Sequence, residues 1–155
     1  MSEFSRRHTT EGEALFEMLS ELGSSFFKLR ASGRTVDAMN DWGSGLWALM
    51  YSLQIDGPQT VPALARKRPV ARQRIQKIVD ELAEKGLVEF TDNPKHKRSK
   101  LVQLTGKGHS LTRQQTEQIR DMADILGAGM SHPDMAAATN LLKSLQSRLD
   151  NILDN

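Results

Sequence analysis

The chain has no cysteine among its 155 residues. Disulfides, zinc sites with thiolate ligands and thiol-based redox switches are therefore excluded, and the composition fits a reducing compartment. No apolar run approaches the roughly 20 residues needed to span a membrane. The N-terminal segment also lacks the apolar stretch of a signal peptide. These absences predict a cytoplasmic protein without a membrane partner.

The usual signatures of enzymes are also missing from the sequence. It contains no Ser/His/Asp or Cys/His constellation, no phosphate-binding glycine loop and no metal motif. The four histidines, at positions 8, 96, 109 and 132, are scattered, and no two have the spacing of ligands on one helix face. We therefore expect no enzymatic activity, no cofactor and no metal site.

The net charge of +2 conceals an uneven distribution of charge along the chain. Residues 66–100 contain eleven Lys and Arg against five Asp and Glu, a balance of +6. The other 120 residues contain ten basic and fourteen acidic groups, a balance of −4. A basic segment of this kind is either a solvated face or the electrostatic footprint of a protein that contacts phosphates.

Amphipathic helices are predicted at both ends of the chain. Apolar residues recur at three- and four-residue steps over residues 11–29, which places them on one helix face. Similar patterns predict helices over residues 44–54, 109–126 and 133–153. The terminal helices are too apolar on one face to be solvated alone, so they must pack on each other or on a partner subunit.

The middle of the chain predicts a short helix, a longer helix and a hairpin. Thr60 is a good N-cap for a helix over residues 61–65. A second helix is predicted over residues 70–85 and ends at Gly86, where a left-handed residue belongs. Its buried side comprises Val70, Ile75, Ile78, Val79 and Leu82. Residues 87–91 and 100–104 alternate as strands around Asp92-Asn93-Pro94. The fold class is mainly α with a small β-hairpin wing, in the order α-α-α-α-β-β-α-α.

This order of elements is the winged helix-turn-helix pattern, and its dimensions suggest how it could bind DNA. An α-helix fits the major groove, where Arg can pair with guanine and Gln with adenine. The basic hairpin tip can reach phosphates or the minor groove. The candidate DNA-binding residues are Arg72, Gln73, Arg74, Gln76 and Lys77 on the helix, and Lys95, His96, Lys97 and Arg98 on the wing.

The stretch LARKRPVARQRIQKIVDELAEKGLVEFTDNPKHKRSKLVQLTGKG, residues 64–108, resembles the DNA-binding core of the MarR family of bacterial regulators. The resemblance implies a winged lobe over residues 44–105 and a helical dimerisation region formed by residues 1–35 and 106–155, in one compact chain. It further implies a homodimer that binds a palindromic operator on double-stranded DNA. Many members are repressors that small, often phenolic or anionic, ligands release.

Five positions depart from the family's usual pattern. His96 replaces the wing Asp that helps to hold the Arg, here Arg98, and Phe90 stands where a basic residue is frequent. Arg68-Pro69 occupies the turn, and Ala71 occupies a position where Ser commonly caps the recognition helix. These departures suggest an altered operator preference or affinity.

A small-molecule effector would be expected in the crevice between the dimerisation helices and the winged lobe. Candidate contacts are Arg30, Met39, Trp42, Trp47, Met50 and Tyr51. Aromatic and Met side chains at helical spacing are also typical of a core, and this alternative stays open. The sequence does not identify the effector, the target genes or the sign of regulation.

An alternative function is that of a winged-helix module that binds proteins without sequence-specific DNA binding. The basic helix face and the basic wing tip favour DNA, because a docking winged helix usually lacks that charge.

Overall fold

The computed structural model describes residues 8–32, 44–68 and 72–153, and its elements match the predicted fold class. The N-terminal half contains α1 (Thr10–Ser32), α2 (Leu46–Asp56), β1 (Gln59–Thr60), α3 (Val61–Arg66) and α4 (Arg72–Glu84). The C-terminal half contains β2 (Val88–Thr91), β3 (Leu101–Leu104), α5 (Gly106–Gly127) and α6 (His132–Leu153). The predicted roles of Pro69, Val70 and Ala71 lie outside the described residues.

The wing belongs to a three-stranded antiparallel sheet with strand order β1-β3-β2. The hairpin was predicted, whereas β1 was not, because two residues are too few to show alternation. Gln59 pairs with Val102 in this extra strand. Thr60 is both the last residue of β1 and the predicted N-cap of α3, since its Oγ1 accepts a hydrogen bond from the Ala63 amide at 3.2 Å.

One apolar core lies between α2, α3, α4 and the sheet. It consists of Leu46, Leu49, Met50, Leu53, Val61, Leu64, Ile75, Val79, Leu82, Leu87, Val88, Val102 and Leu104. Ile75, Val79 and Leu82 of α4 are each at most 1% exposed, and Ile78 is partly buried against the same cluster. The predicted buried side of α4 is therefore confirmed for the described residues.

Gly86 ends α4 and directs the chain into β2. Its φ of 69° lies in the left-handed region, which glycine adopts without steric cost. The amide of Gly86 donates to the Ala83 carbonyl and that of Leu87 donates to the Leu82 carbonyl, both at 2.9 Å. These bonds satisfy carbonyls at the helix end, as in a Schellman motif.

Helix α5 begins at Gly106, three residues before the predicted start at His109. Thr105 caps it, because its Oγ1 accepts from the Gly108 amide at 3.0 Å and donates to the Gly86 carbonyl at 2.7 Å. Gly108 is buried, and a Cβ added there would lie 2.0 Å from the Leu87 carbonyl oxygen. The helix thus rests directly on the backbone that leads into β2.

The terminal helices contribute little to this core. No residue of α1 is buried, and none of the described side chains of α6 is buried. Their exposed large apolar side chains are Leu15, Phe16, Leu19, Leu22, Phe26 and Phe27 in α1, and Met135, Leu141, Leu149 and Ile152 in α6. An open, mostly apolar groove, lined by Leu15 and Met18 of α1 and by Leu141 and Leu145 of α6, runs between the helices.

The contact at Gly108 leads to a prediction about stability. Gly108→Ala should destabilise the protein by about 1–3 kcal/mol, because the new methyl group meets the Leu87 backbone. The control is Gly106→Ala in the same turn, where a Cβ meets nothing within 4 Å. Urea unfolding of both variants measures the difference, and equal midpoints would contradict the proposed fit of α5 against β2.

Candidate nucleic-acid interface

The outward side of α4 begins with five exposed polar side chains. They are the predicted contacts Arg72, Gln73, Arg74, Gln76 and Lys77. They face solvent because Ile75 and Val79, which lie between them and just beyond them, point into the core. This half of the helix presents three cations and two amides and no carboxylate.

The distal half of α4 has the opposite charge. Asp80 and Glu84 are exposed and Glu81 is half-buried. Glu81 forms an ion pair with Lys85 at 2.8 Å, and the Gln76 Nε2 donates to the Asp80 Oδ1 at 2.8 Å. The charge on the helix surface therefore changes sign along its axis, with the positive end at the N-terminus.

The wing tip is a structured turn that exposes its basic residues. Asn93 organises it, since its Oδ1 accepts from the Lys95 amide at 3.0 Å and its carbonyl accepts from the His96 amide at 3.2 Å. Lys95, His96, Lys97 and Arg98 are all exposed. No carboxylate of the described residues pairs with Arg98, so the wing Arg has no acidic partner there.

Two basic residues near the turn after α3 are occupied within the protein. Lys67 pairs with Asp56 at 2.9 Å, and its hydrogen bond and positive charge hold the pKa of Asp56 below the ordinary 3.8. The half-buried Arg68 donates from Nη2 to the Ala48 carbonyl of α2, and burial lowers the pKa of Arg68 from its ordinary value. The net charge of residues 66–100 therefore overestimates the number of cations available to DNA, because Lys67, Arg68 and Lys85 form contacts within the protein.

Eight of the eleven basic residues in the segment 66–100 remain exposed without an ion pair to any described residue. They are Arg66, Arg72, Arg74, Lys77, Lys95, Lys97, Arg98 and Lys100. Guanidinium and ammonium groups of this kind can bind phosphates, and Arg can also pair with base edges.

Two of the six candidate effector contacts, Trp47 and Tyr51, lie against each other in the structure. Trp47 and Tyr51 stack with ring centroids 5.0 Å apart, and the Trp47 Nε1 donates to the Thr116 Oγ1 of α5 at 3.1 Å. Met50 is fully buried in the core and Arg30 is exposed near the end of α1. Met39 and Trp42 lie outside the described residues. Ligand contact by any of these six residues stays a prediction.

The described residues have neither a metal-binding cluster nor a membrane-spanning helix. They contain no group of three or more His, Asp or Glu side chains placed to hold a metal ion. No helix among them is both long enough and apolar enough to cross a bilayer.

Both the sequence and the fold are similar to those of known proteins. Residues 47–99, which include α4 and the wing tip, match the sequence model of the MarR family. Solved structures of MarR-family transcriptional regulators share the fold. The chain is thus similar to the MarR family in sequence over residues 47–99, and its fold is similar to that of solved MarR structures.

Solved transcriptional regulators share the fold over most of the chain. The organohalide-sensing regulator RdhR, solved in its 2,4-dichlorophenol-bound form, is 18% identical with a TM-score of 0.72, over 98% of this chain and 91% of that one. A mutant of MarR from E. coli, solved with operator DNA, is 22% identical with a TM-score of 0.69, over 85% and 93%.

An uncharacterized protein of Mycobacterium tuberculosis has a higher sequence identity to this chain than these two structures have. It is 37% identical over 90 residues, which cover 58% of this chain and 62% of the relative. The match thus spans less than two thirds of the relative's length.

The bond between Trp47 and Thr116 ties α2 to α5 and predicts a stability effect. Thr116→Val should destabilise the protein by about 0.5–1.5 kcal/mol, because the half-buried indole N–H loses its acceptor. The matched control is Thr139→Val in α6, whose exposed hydroxyl only donates to the Met135 carbonyl. Urea unfolding followed by tryptophan emission compares them, and equal losses would show that the bond to Trp47 adds nothing.

Proposed function

We propose that this chain is a DNA-binding transcriptional regulator of the MarR family. The observation that supports this function best is the charge pattern of the described surface. The N-terminal half of α4 and the wing tip together expose Arg72, Arg74, Lys77, Lys95, Lys97 and Arg98 without ion pairs to described residues. Clustered cations on a helix of groove-fitting width and on a hairpin tip complement a polyanion of regular shape.

In this proposal α4 enters the major groove by its N-terminal half. There Gln73, Arg74 and Gln76 are placed to contact base edges, and the wing lies on the minor groove or the backbone. The acidic distal half of α4 opposes a deeper or reversed insertion, because Asp80 and Glu84 would approach phosphates. The E. coli MarR mutant, which has the same fold, was solved in complex with operator DNA, and this supports DNA binding by the fold.

The regulator is proposed to act as a homodimer. Helices α1 and α6 together span 45 residues, yet none of their described side chains is buried in the protomer. Their open apolar faces are what a second copy would cover. A twofold dimer presents two α4 helices to half-sites about one helical turn, or roughly 34 Å, apart, which fits a palindromic operator.

Repression relieved by a small molecule is the mode of regulation that we propose. Trp47 stacks on Tyr51 in α2 and donates a hydrogen bond to α5, so the aromatic pair lies where α2 of the winged lobe meets α5. An aromatic pair with a polar neighbour suits a small phenolic or anionic ligand, with Arg30 and Met50, and also Met39 and Trp42, as further candidate contacts. The 2,4-dichlorophenol-bound form of RdhR supports this class of effector. We further propose that the protein acts in the cytoplasm.

Binding to a promoter fragment from the protein's own locus, measured across a salt series, tests the proposed function. Log affinity should fall with log salt by about 0.9 for each phosphate contact. Arg98→Ala should weaken binding to all sequences and reduce that slope, whereas Arg74→Ala should relax sequence preference. The control is Arg68→Ala, which should leave the slope unchanged because its guanidinium is engaged with the Ala48 carbonyl. A flat salt response of the unmodified protein would contradict DNA binding.

The dimer is tested by placing the same charge on opposite sides of α1. Leu22→Asp should shift the protein from dimer to monomer at micromolar concentration, because an unpaired carboxylate would be buried in the proposed interface. Ser24→Asp, on the opposite side of the helix, should leave the dimer intact. Sedimentation equilibrium measures both, and a stable monomer of the unmodified protein would contradict the homodimer.

A further inference from the structure

Gln76 and Asp80 form a hydrogen-bonded pair on the exposed side of α4. The Gln76 Nε2 lies 2.8 Å from the Asp80 Oδ1. The two residues are four positions apart, so the helix places them one above the other on the same face. Both side chains are exposed, and both line the same shallow groove along the outer face of α4.

The chemistry of this pair fixes which way the Gln76 amide points. An aspartate carboxylate can only accept hydrogen bonds, so it must face the amide nitrogen of Gln76 and not its carbonyl oxygen. The nitrogen carries two hydrogens, and the bond to Asp80 uses one of them. The other hydrogen and the carbonyl oxygen remain available side by side. Adenine presents the matching pair in the major groove, with N7 as acceptor and N6 as donor.

The same carboxylate also adds negative charge to this face. Glu81 is compensated by Lys85, but no cation of the described residues pairs with Asp80. Next to a polyanion, an uncompensated carboxylate weakens binding to any duplex, whatever its sequence. Asp80 therefore has two separable effects, a general loss of affinity and an ordering of Gln76.

We propose that Asp80 is a positioning residue that sets the sequence specificity of α4 by orienting Gln76 toward adenine, an inference that rests on the proposed DNA-binding function. An ordered Gln76 loses little freedom when it pairs with adenine. The other bases cannot use the same donor and acceptor pair, so they do not share this advantage. Asp80 thus lowers affinity in general and raises the preference for one base.

The test measures binding of the full-length protein to a library of randomised duplexes and to one unrelated duplex. Asp80→Ala should bind the unrelated duplex roughly two- to fivefold more tightly, since one exposed charge is removed. Its preference for adenine at the position read by Gln76 should fall by roughly two- to twelvefold, the effect of ordering one long side chain. Gln76→Ala identifies that position by abolishing the preference.

Three further variants separate positioning from charge and from folding. Glu84→Ala removes a carboxylate from the same face, one turn further along and without a hydrogen bond to Gln76. It should tighten binding but leave the base preference unchanged. Asp80→Glu keeps an acceptor and should keep the preference. In a Gln76→Ala background, Asp80→Ala should change affinity but have no further effect on preference, and thermal melts should show that all variants are folded.

The outcomes distinguish this inference from the proposed function. If the unmodified protein binds no duplex at low salt, DNA binding fails, and the role of Asp80 fails with it. Two outcomes would overturn only the positioning role, provided that the unmodified protein binds with the expected salt dependence. In the first, Asp80→Ala keeps the preference for adenine. In the second, Asp80→Ala changes that preference by the same amount in the Gln76→Ala background. The positioning role is also overturned if Gln76→Ala changes the base preference at no position of the duplex, because Gln76 then contacts no base specifically.

Discussion

The arrangement of the winged lobe depends on the burial of one side of α4. Ile75, Val79 and Leu82 are each at most 1% exposed, and burial of each such side chain contributes roughly 1.5–3 kcal/mol. These three contacts set the rotation of the helix about its own axis. A different rotation would expose them and bury charged groups, so the polar face is held outward by the core. The rigidity of the candidate interface therefore comes from apolar packing beneath it.

Features encoded by local patterns could be predicted from the sequence, and those that depend on distant contacts could not. The buried side of α4, the Thr60 cap and the stop at Gly86 each follow from a few neighbouring residues. Strand β1 exists because Gln59 pairs with Val102, which is 43 positions away. Helix α5 starts early because Thr105 caps it and Gly108 fits against Leu87, and this packing overrides the poor helix propensity of glycine.

The same division applies to the candidate site. Exposure of the nine proposed DNA contacts follows from helix periodicity and from the turn at the wing tip. The contacts that engage Lys67 and Arg68 within the protein do not follow from local patterns, because their partners lie 11 and 20 positions away. The link between Gln76 and Asp80 is a signal that the sequence does contain, as a four-residue spacing on a helix. Charge counting missed it, because counting treats Asp80 only as a loss of positive charge.

The contact of Gly108 with the Leu87 backbone has a mechanical consequence. Helix α5 has 22 residues and is about 33 Å long, and its first turn packs directly against the Leu87 backbone. The helix and the winged lobe are therefore expected to move together as one rigid body. With the far end of α5 held in a dimer, a tilt of about 5° over that length moves the lobe by about 3 Å. In the proposed dimer, the twofold axis would give each lobe an equivalent movement. A small rearrangement at the terminal helices would then change the distance between the two α4 helices, which must match one helical turn of B-DNA.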